Sequence, residues 1–176
     1  MRVKKAHATE SSKEKARGWR TIVLGMGNPI LTDDCVGLRV AQEVAAWLAS
    51  PTGAPYAGTV TVEESSLAGL SLLDLLAGYD RAIIVDSIQT RGGKVGALYR
   101  LSADDFASTV RLASPHDVNF FTALELGRRV GIAMPADVVV LAIEVQDTST
   151  FGEACTPPVE AAIPRAVEAV LAEIRR

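Results

Sequence analysis

The sequence predicts an α/β fold: a single three-layer domain whose mostly parallel, twisted sheet of about five strands carries helices on both faces. Two observations lead there. Arg81-Ala-Ile-Ile-Val-Asp86 and Asp137–Val145 are almost continuously apolar, the pattern of strands buried on both faces rather than one. Between such runs lie segments whose apolar residues recur at three- and four-residue spacing, the period of a helix with one buried stripe.

Thr21–Leu24 is a short β-branched run that breaks at Gly25-Met26-Gly27-Asn28. Asp34–Ala49 follows as a helix, with Val36, Val40, Val44, Trp47 and Leu48 on one stripe, and Pro51-Thr-Gly-Ala-Pro55 ends it. Thr59–Glu63 alternates as a second strand, and Ser66–Leu76 is a short leucine-rich helix closed by Gly78. Arg81–Asp86 is a buried strand. Arg91-Gly92-Gly93-Lys94 is a turn, and Gly96–Leu101 a strand at the sheet edge. Ser102–Pro115 is irregular, and Asp117–Val130 is a helix with Phe120, Phe121, Leu124 and Leu126 among its apolar residues. Asp137–Val145 is the last strand, Phe151–Pro158 a loop, and Val159–Ile174 the closing helix.

At 176 residues the chain suits one domain. Apolar residues make up 48% of it and aromatics only 5%, which favours aliphatic packing of helices on a sheet. A net charge of −3 offers no electrostatic reason to bind nucleic acid. Cys35 and Cys155 form no disulfide framework, which fits a reducing cytoplasm. No apolar run approaches the roughly 18–20 residues of a membrane helix. Residues 1–19 are polar and basic and read as a disordered lead, with the folded domain spanning 20–176.

Chemistry concentrates where strands end, the edge at which open α/β sheets bind ligands. Asp33 and Asp34 follow the first strand and its glycine turn, Asp86 ends a buried strand, and His116 precedes a helix. Two carboxylates and an imidazole suit a divalent metal. An aspartate before a helix is also a favoured N-cap, so one of Asp33 and Asp34 is expected to cap and the other to face the crevice. The glycine turn lacks the third glycine of a dinucleotide fingerprint, with Ile30 in its place, and has no Gly-Lys-Ser/Thr of a phosphate loop. The Gly-x-Ser-x-Gly elbow of a serine hydrolase is absent. Cys35 at a helix start is either a nucleophile with His116 as base or a small side chain at a crowded turn, and the second reading is preferred.

Leu24-Gly-Met-Gly-Asn-Pro-Ile-Leu-Thr-Asp-Asp-Cys-Val-Gly37, Ile83-Ile-Val-Asp86, Ser114-Pro-His-Asp117 and Ile143-Glu144 with Gly152-Glu-Ala-Cys-Thr-Pro-Pro-Val159 together resemble the hydrogenase maturation endopeptidases. These proteases remove a C-terminal extension from the large subunit of nickel-iron hydrogenases. The resemblance runs from about Ile22 to the C-terminus, in the same order. It implies that Asp34, Asp86 and His116 are metal ligands and catalytic residues. It also implies that the metal is nickel already placed in the hydrogenase large-subunit precursor, with zinc or another divalent ion able to substitute. The family usually has glycine where this chain has Cys35. That cysteine is expected to be a tolerated substitution, with a soft ligand beside Asp34 as the alternative reading, whereas Cys155 reads as packing. Two other readings share the fold: a client-binding or metal-handoff protein that does not cut, and a small-molecule hydrolase with its own zinc.

Overall fold

The computed structural model describes residues 19–66, 71–102 and 123–176. Among these, five strands form one sheet: β1 (Thr21–Met26), β2 (Val60–Ser65), β3 (Arg81–Ile88), β4 (Leu98–Ser102) and β5 (Asp137–Glu144), in the order β2-β1-β3-β5-β4. Four strands are parallel. β4 runs antiparallel to β5, pairing Leu98 with Ile143 and Ser102 with Val139. It sits at the edge, as expected, and is only half-buried, whereas every residue of β1 and β3 is buried. The helices are α1 (Val36–Leu48), α2 (Leu72–Leu76), a helical segment α3 over residues 123–129, α4 (Pro157–Glu160) and α5 (Ile163–Ile174).

Side chains alternate across a strand, so each central strand feeds two cores. Val23, Ile83, Val85, Val139, Leu141 and Ile143 join Val36, Val40 and Val44 of α1 and Ala166 and Val170 of α5. Ile22, Leu24, Ala82, Ile84, Val138 and Val140 face the other way, toward Leu72, Leu76, Ala123 and Leu124. These two cores make the three layers that the doubly apolar strands predict.

Several boundaries differ from the sequence reading. β2 is Val60–Ser65 rather than Thr59–Glu63, β4 is Leu98–Ser102 rather than Gly96–Leu101, and of Ser66–Leu76 the described α-helix is Leu72–Leu76. β1 and β3 each run two residues further, to Met26 and Ile88. α1 starts at Val36, not Asp34, because Asp33 and Asp34 are held by partners elsewhere. The closing helix is two helices. Thr156 starts α4 with proline in its first turn, and α5 begins again after Ala162, with Pro164 in its own first turn. A proline inside one continuous helix would remove a backbone hydrogen bond, but at a helix start its missing N–H costs nothing.

α1 lies directly on strand backbone. A Cβ on Gly37 would stand 2.2 Å from the Met26 carbonyl oxygen and 2.4 Å from that of Val85. Only a bare Cα allows the first turn of α1 to sit this close to the ends of β1 and β3. That packing brings the residues before α1 to the carboxyl edge of the sheet.

Candidate functional site

The chain leaves β1 for β2 on one side and returns to β3 on the other. The carboxyl ends of β1 and β3 therefore flank a topological switch point, where open α/β sheets form their ligand crevice. Asp34 follows β1 and Asp86 lies near the end of β3. Both are buried, at 7% and 5% exposure.

Asp34 is fixed at both oxygens. Its Oδ2 accepts the Asn28 backbone N–H at 3.0 Å, and its Oδ1 accepts the Ser87 hydroxyl at 2.9 Å. Asn28 is in turn positioned by a local turn, its Oδ1 accepting the Ile30 N–H at 3.2 Å. Gly27 makes the approach possible. Its φ of 145° lies in the region that favours glycine, and a Cβ there would fall 1.8 Å from the Asp34 carbonyl oxygen.

Asp86 accepts the Ser87 backbone N–H at Oδ1, 2.8 Å away. Ser87 thus joins the two carboxylates, giving its N–H to Asp86 and its hydroxyl to Asp34. By strand alternation Asp86 lies on the face of Ile84 and Ile88, while Ser87 lies on the face of α1. One short segment of β3 therefore addresses both sides of the switch point. His116 lies outside the described residues, as does the Ser114–Asp117 segment that carries it. Among the described residues no group of three or more His, Cys, Asp or Glu comes together. The two acidic positions nonetheless supply oxygen donors of the type a divalent ion takes, held in place by neighbouring N–H and O–H groups.

Neither Asp33 nor Asp34 caps α1. Cys35 occupies the N-cap position and no side chain bonds the first turn. Asp33 is fully buried and acts over long range. Its Oδ2 accepts the N–H groups of Gln146 (3.2 Å) and Asp147 (3.1 Å) and the Thr156 hydroxyl (3.1 Å). Its Oδ1 accepts the Thr156 N–H at 2.7 Å. Asp33 therefore ties the loop after β1 to the loop after β5. Backbone bonds extend the seam: Thr32 N–H to the Thr150 carbonyl and Asp33 N–H to that of Asp147, both 2.9 Å, and Gly152 N–H to Ile30 at 3.1 Å.

A buried carboxylate also ends β5. Glu144 accepts the Thr90 N–H at 2.7 Å and the Thr90 hydroxyl at 2.8 Å, fixing the loop that leaves β3. Cys35 does not place its sulfur with Asp34. Its Sγ donates to the Thr32 carbonyl at 3.1 Å and stands 3.5 Å from Cys155 Sγ, inside the α1–α5 core. The alternative reading of Cys35 as a soft ligand has no support in this geometry, while Cys155 is buried, as its packing role requires. Burial first, and then the contact with Cys35, pushes the Cys155 thiol up to about 12.

The sequence reading missed Ser87, Asn28 and Thr156. Ser87 had a local signal, a hydroxyl directly after a strand-end aspartate. Thr156 had none, because its partner is 123 positions away.

A family model described as hydrogenase maturation protease matches residues 38–173. That match contains Asp86 and His116 and begins just after Asp34. The chain is 29% identical over 157 residues to the hydrogenase 2 maturation protease of Escherichia coli (strain K12), covering 89% of this chain and 91% of that one. It is 28% identical over 142 residues to the hydrogenase expression/formation protein HupD of Bradyrhizobium diazoefficiens, covering 80% of this chain and 70% of that one. The solved structure of the hydrogenase maturating endopeptidase HybD from E. coli superposes with a TM-score of 0.74 at 27% identity, covering 89% of this chain and 92% of that one. The fold extends to a [NiFe] hydrogenase maturation protease HybD from Thermococcus kodakarensis, with a TM-score of 0.69 at 19% identity, covering 88% and 99%.

Proposed function

From the premise that this chain belongs to the hydrogenase maturation protease family, we propose that it removes the C-terminal extension of a nickel-iron hydrogenase large-subunit precursor once nickel is in place. The observation that carries the proposal is the pairing of Asp34 and Asp86 through Ser87 at the switch point. Two buried carboxylates, each bonded to Ser87, are the two oxygen ligands that the family resemblance asks for, and His116 supplies the nitrogen.

On this reading nickel is part of the substrate. Asp34, Asp86 and His116 engage it from one side, while the precursor holds it from the other. The ion then reports that assembly is complete and draws the extension to the crevice. Cleavage is hydrolysis. A water oxygen adds to the peptide carbonyl carbon, the C–N bond breaks, and the proton lost by water passes to the leaving amine. Nickel held there would either polarise the carbonyl and activate the attacking water, or only position the precursor while a carboxylate activates that water. Zinc or another divalent ion of similar ligand preference would occupy the same donors. Among the described residues no helix is long and apolar enough to cross a membrane. We place the reaction in the cytoplasm, whose reducing conditions the unpaired thiols of Cys35 and Cys155 fit.

The test is mass spectrometry of a hydrogenase large-subunit precursor co-expressed with this protein, with and without nickel. Loss of a C-terminal peptide only with nickel is the expected result. Binding without loss under both conditions would replace the protease with a client-binding protein. Stoichiometric zinc retained by the purified protein, with no effect on the precursor, would favour a small-molecule hydrolase.

A further inference from the structure

Cys35 and Cys155 are 120 positions apart in the chain, yet their sulfurs stand 3.5 Å apart. Both are unpaired thiols, and the proteolytic reading uses neither. Cys155 also lines a surface depression of about 530 Å³ with Arg39, Ala154, Pro157, Glu160 and Ala161. Arg39 and Glu160 form an ion pair there at 3.2 Å. A small oxidant in that depression therefore meets Cys155 first, with Cys35 directly behind it.

We propose that Cys35 and Cys155 are a reversible disulfide site, closed by peroxide, that covalently links the loop after β1 to the loop after β5. In the first step hydrogen peroxide transfers one oxygen to the Cys155 sulfur, giving a sulfenic acid and one water. In the second the Cys35 sulfur displaces the hydroxyl, which leaves as a second water. Two thiols lose two electrons and two protons, and one peroxide is reduced to two waters. A dithiol reductant reverses the change by exchange.

The geometry decides which side moves. A disulfide bond is about 2.05 Å long, so the gap must close by about 1.5 Å. Cys35 has little freedom, because the Asp34–Cys35 peptide packs against Gly27. A Cβ on Gly27 would lie 1.8 Å from Asp34 O and 3.6 Å from Cys35 Cα. Cys155 follows the exposed residues Glu153 and Ala154, so that segment carries the movement. Its next residue, Thr156, gives two hydrogen bonds to Asp33. The disulfide thus repeats in covalent form the tie that Asp33 makes by hydrogen bonding. Because burial holds Cys155 as a thiol at neutral pH, closure by peroxide is slow there.

The experiment treats the purified full chain with hydrogen peroxide, then denatures and alkylates it for peptide mapping without reductant. The expected product is one cross-linked peptide pair containing Cys35 and Cys155, lighter by two hydrogens and restored by dithiothreitol. Its melting temperature should rise by several degrees, with no rise in Cys35→Ser or Cys155→Ser. Oxidation should also return part of the melting temperature lost in Asp33→Ala, which a mere side reaction of thiols would not do. Two alkylatable thiols after treatment, a cysteine carried to sulfinic or sulfonic acid, or a disulfide between two molecules would each overturn the proposal.

Discussion

Replacing Asp33 with alanine removes the acceptor for four hydrogen bonds at a residue with no exposed surface. Hydrogen bonds to a charged acceptor contribute about 1.5–3 kcal/mol each, so independent bonds would amount to at least about 6 kcal/mol. Two features reduce this. Gln146 is exposed and Asp147 and Thr156 are half-buried, so water reaches their N–H groups once the loops part. The bonds also share one side chain and are not additive. The expected loss is therefore about 3–4 kcal/mol. With a urea slope of about 2 kcal/mol/M, the unfolding midpoint falls by roughly 1.5–2 M at unchanged slope. Asp33→Asn keeps one oxygen but turns an amide donor toward N–H or O–H donors, so it should recover less than half of the loss. Asp34→Ala serves as the control. Asp34 accepts two of the hydrogen bonds described above, and its removal should cost about 1–2 kcal/mol. An Asp33→Ala midpoint within about 0.3 M of wild type would refute the latch, since even one lost charged bond exceeds that.

Asp34→Ala, Asp86→Ala and His116→Ala should each abolish processing of a nickel-loaded precursor while circular dichroism stays native. Normal cleavage by any two of them would show that the ligands are assigned wrongly. Ser87→Ala removes the 2.9 Å bond that orients Asp34 and should slow processing roughly 10-fold with little change in melting temperature. Ser87→Thr, which keeps the hydroxyl, should restore most of the rate, and an unchanged rate in the alanine variant would mean that Ser87 does not position Asp34. At the opposite end of the sheet, burial pushes the Glu173 carboxyl up, but hydrogen bonds from Arg100, Arg81 and Arg176 outweigh it and hold the group at about 2. A carboxyl depressed on folding stabilises fully above its unfolded value, 4.5 here, and loses that contribution as pH falls through 2. Because the side chains of Arg100 and Arg176 are 49% and 63% exposed and water screens their charge, the contribution is on the order of 1–2 kcal/mol. Urea midpoints should therefore fall steeply between pH 4.5 and 2 in wild type and much less in Glu173→Gln; equal slopes in the two would sink the assignment.

The sheet was legible because its central strands are apolar on both faces, and nothing but a covered parallel sheet accepts such strands. Gly96–Leu101 was recognisable as an edge strand, which the structure sets at Leu98–Ser102, but its antiparallel direction was not, since strand direction depends on a connection rather than on composition. The start of α1 was misread for an instructive reason. Asp33-Asp34 before an amphipathic stripe is the local pattern of a cap, and both carboxylates are instead claimed by distant partners: Gln146, Asp147 and Thr156 for one, Ser87 for the other. No periodicity carries that information. The closing helix failed similarly. Its apolar stripe continues across Ala161 and Ala162, and only Pro164 signals the break. His116 was singled out as a histidine before a helix, considered together with two strand-end carboxylates, and its segment lies outside the described residues.

The adjacent aspartates divide the work of the site between them. A strand-to-helix loop is ordinarily among the more mobile parts of a domain, yet the ligand role proposed for Asp34 would tolerate displacements of only about half an ångström. Asp34 alone cannot meet that requirement, because one of its two bonds goes to Asn28 in the same loop and moves with it. Asp33 supplies the external reference by anchoring the loop to residues that follow β5, while Ser87 supplies a second one from β3. Asp34 is thereby located against two strands of the sheet rather than against its own loop. The close seat of α1 on Met26 and Val85, which only glycine at position 37 permits, fixes the remaining direction. The rigidity of the crevice is thus built from residues that need never touch the substrate.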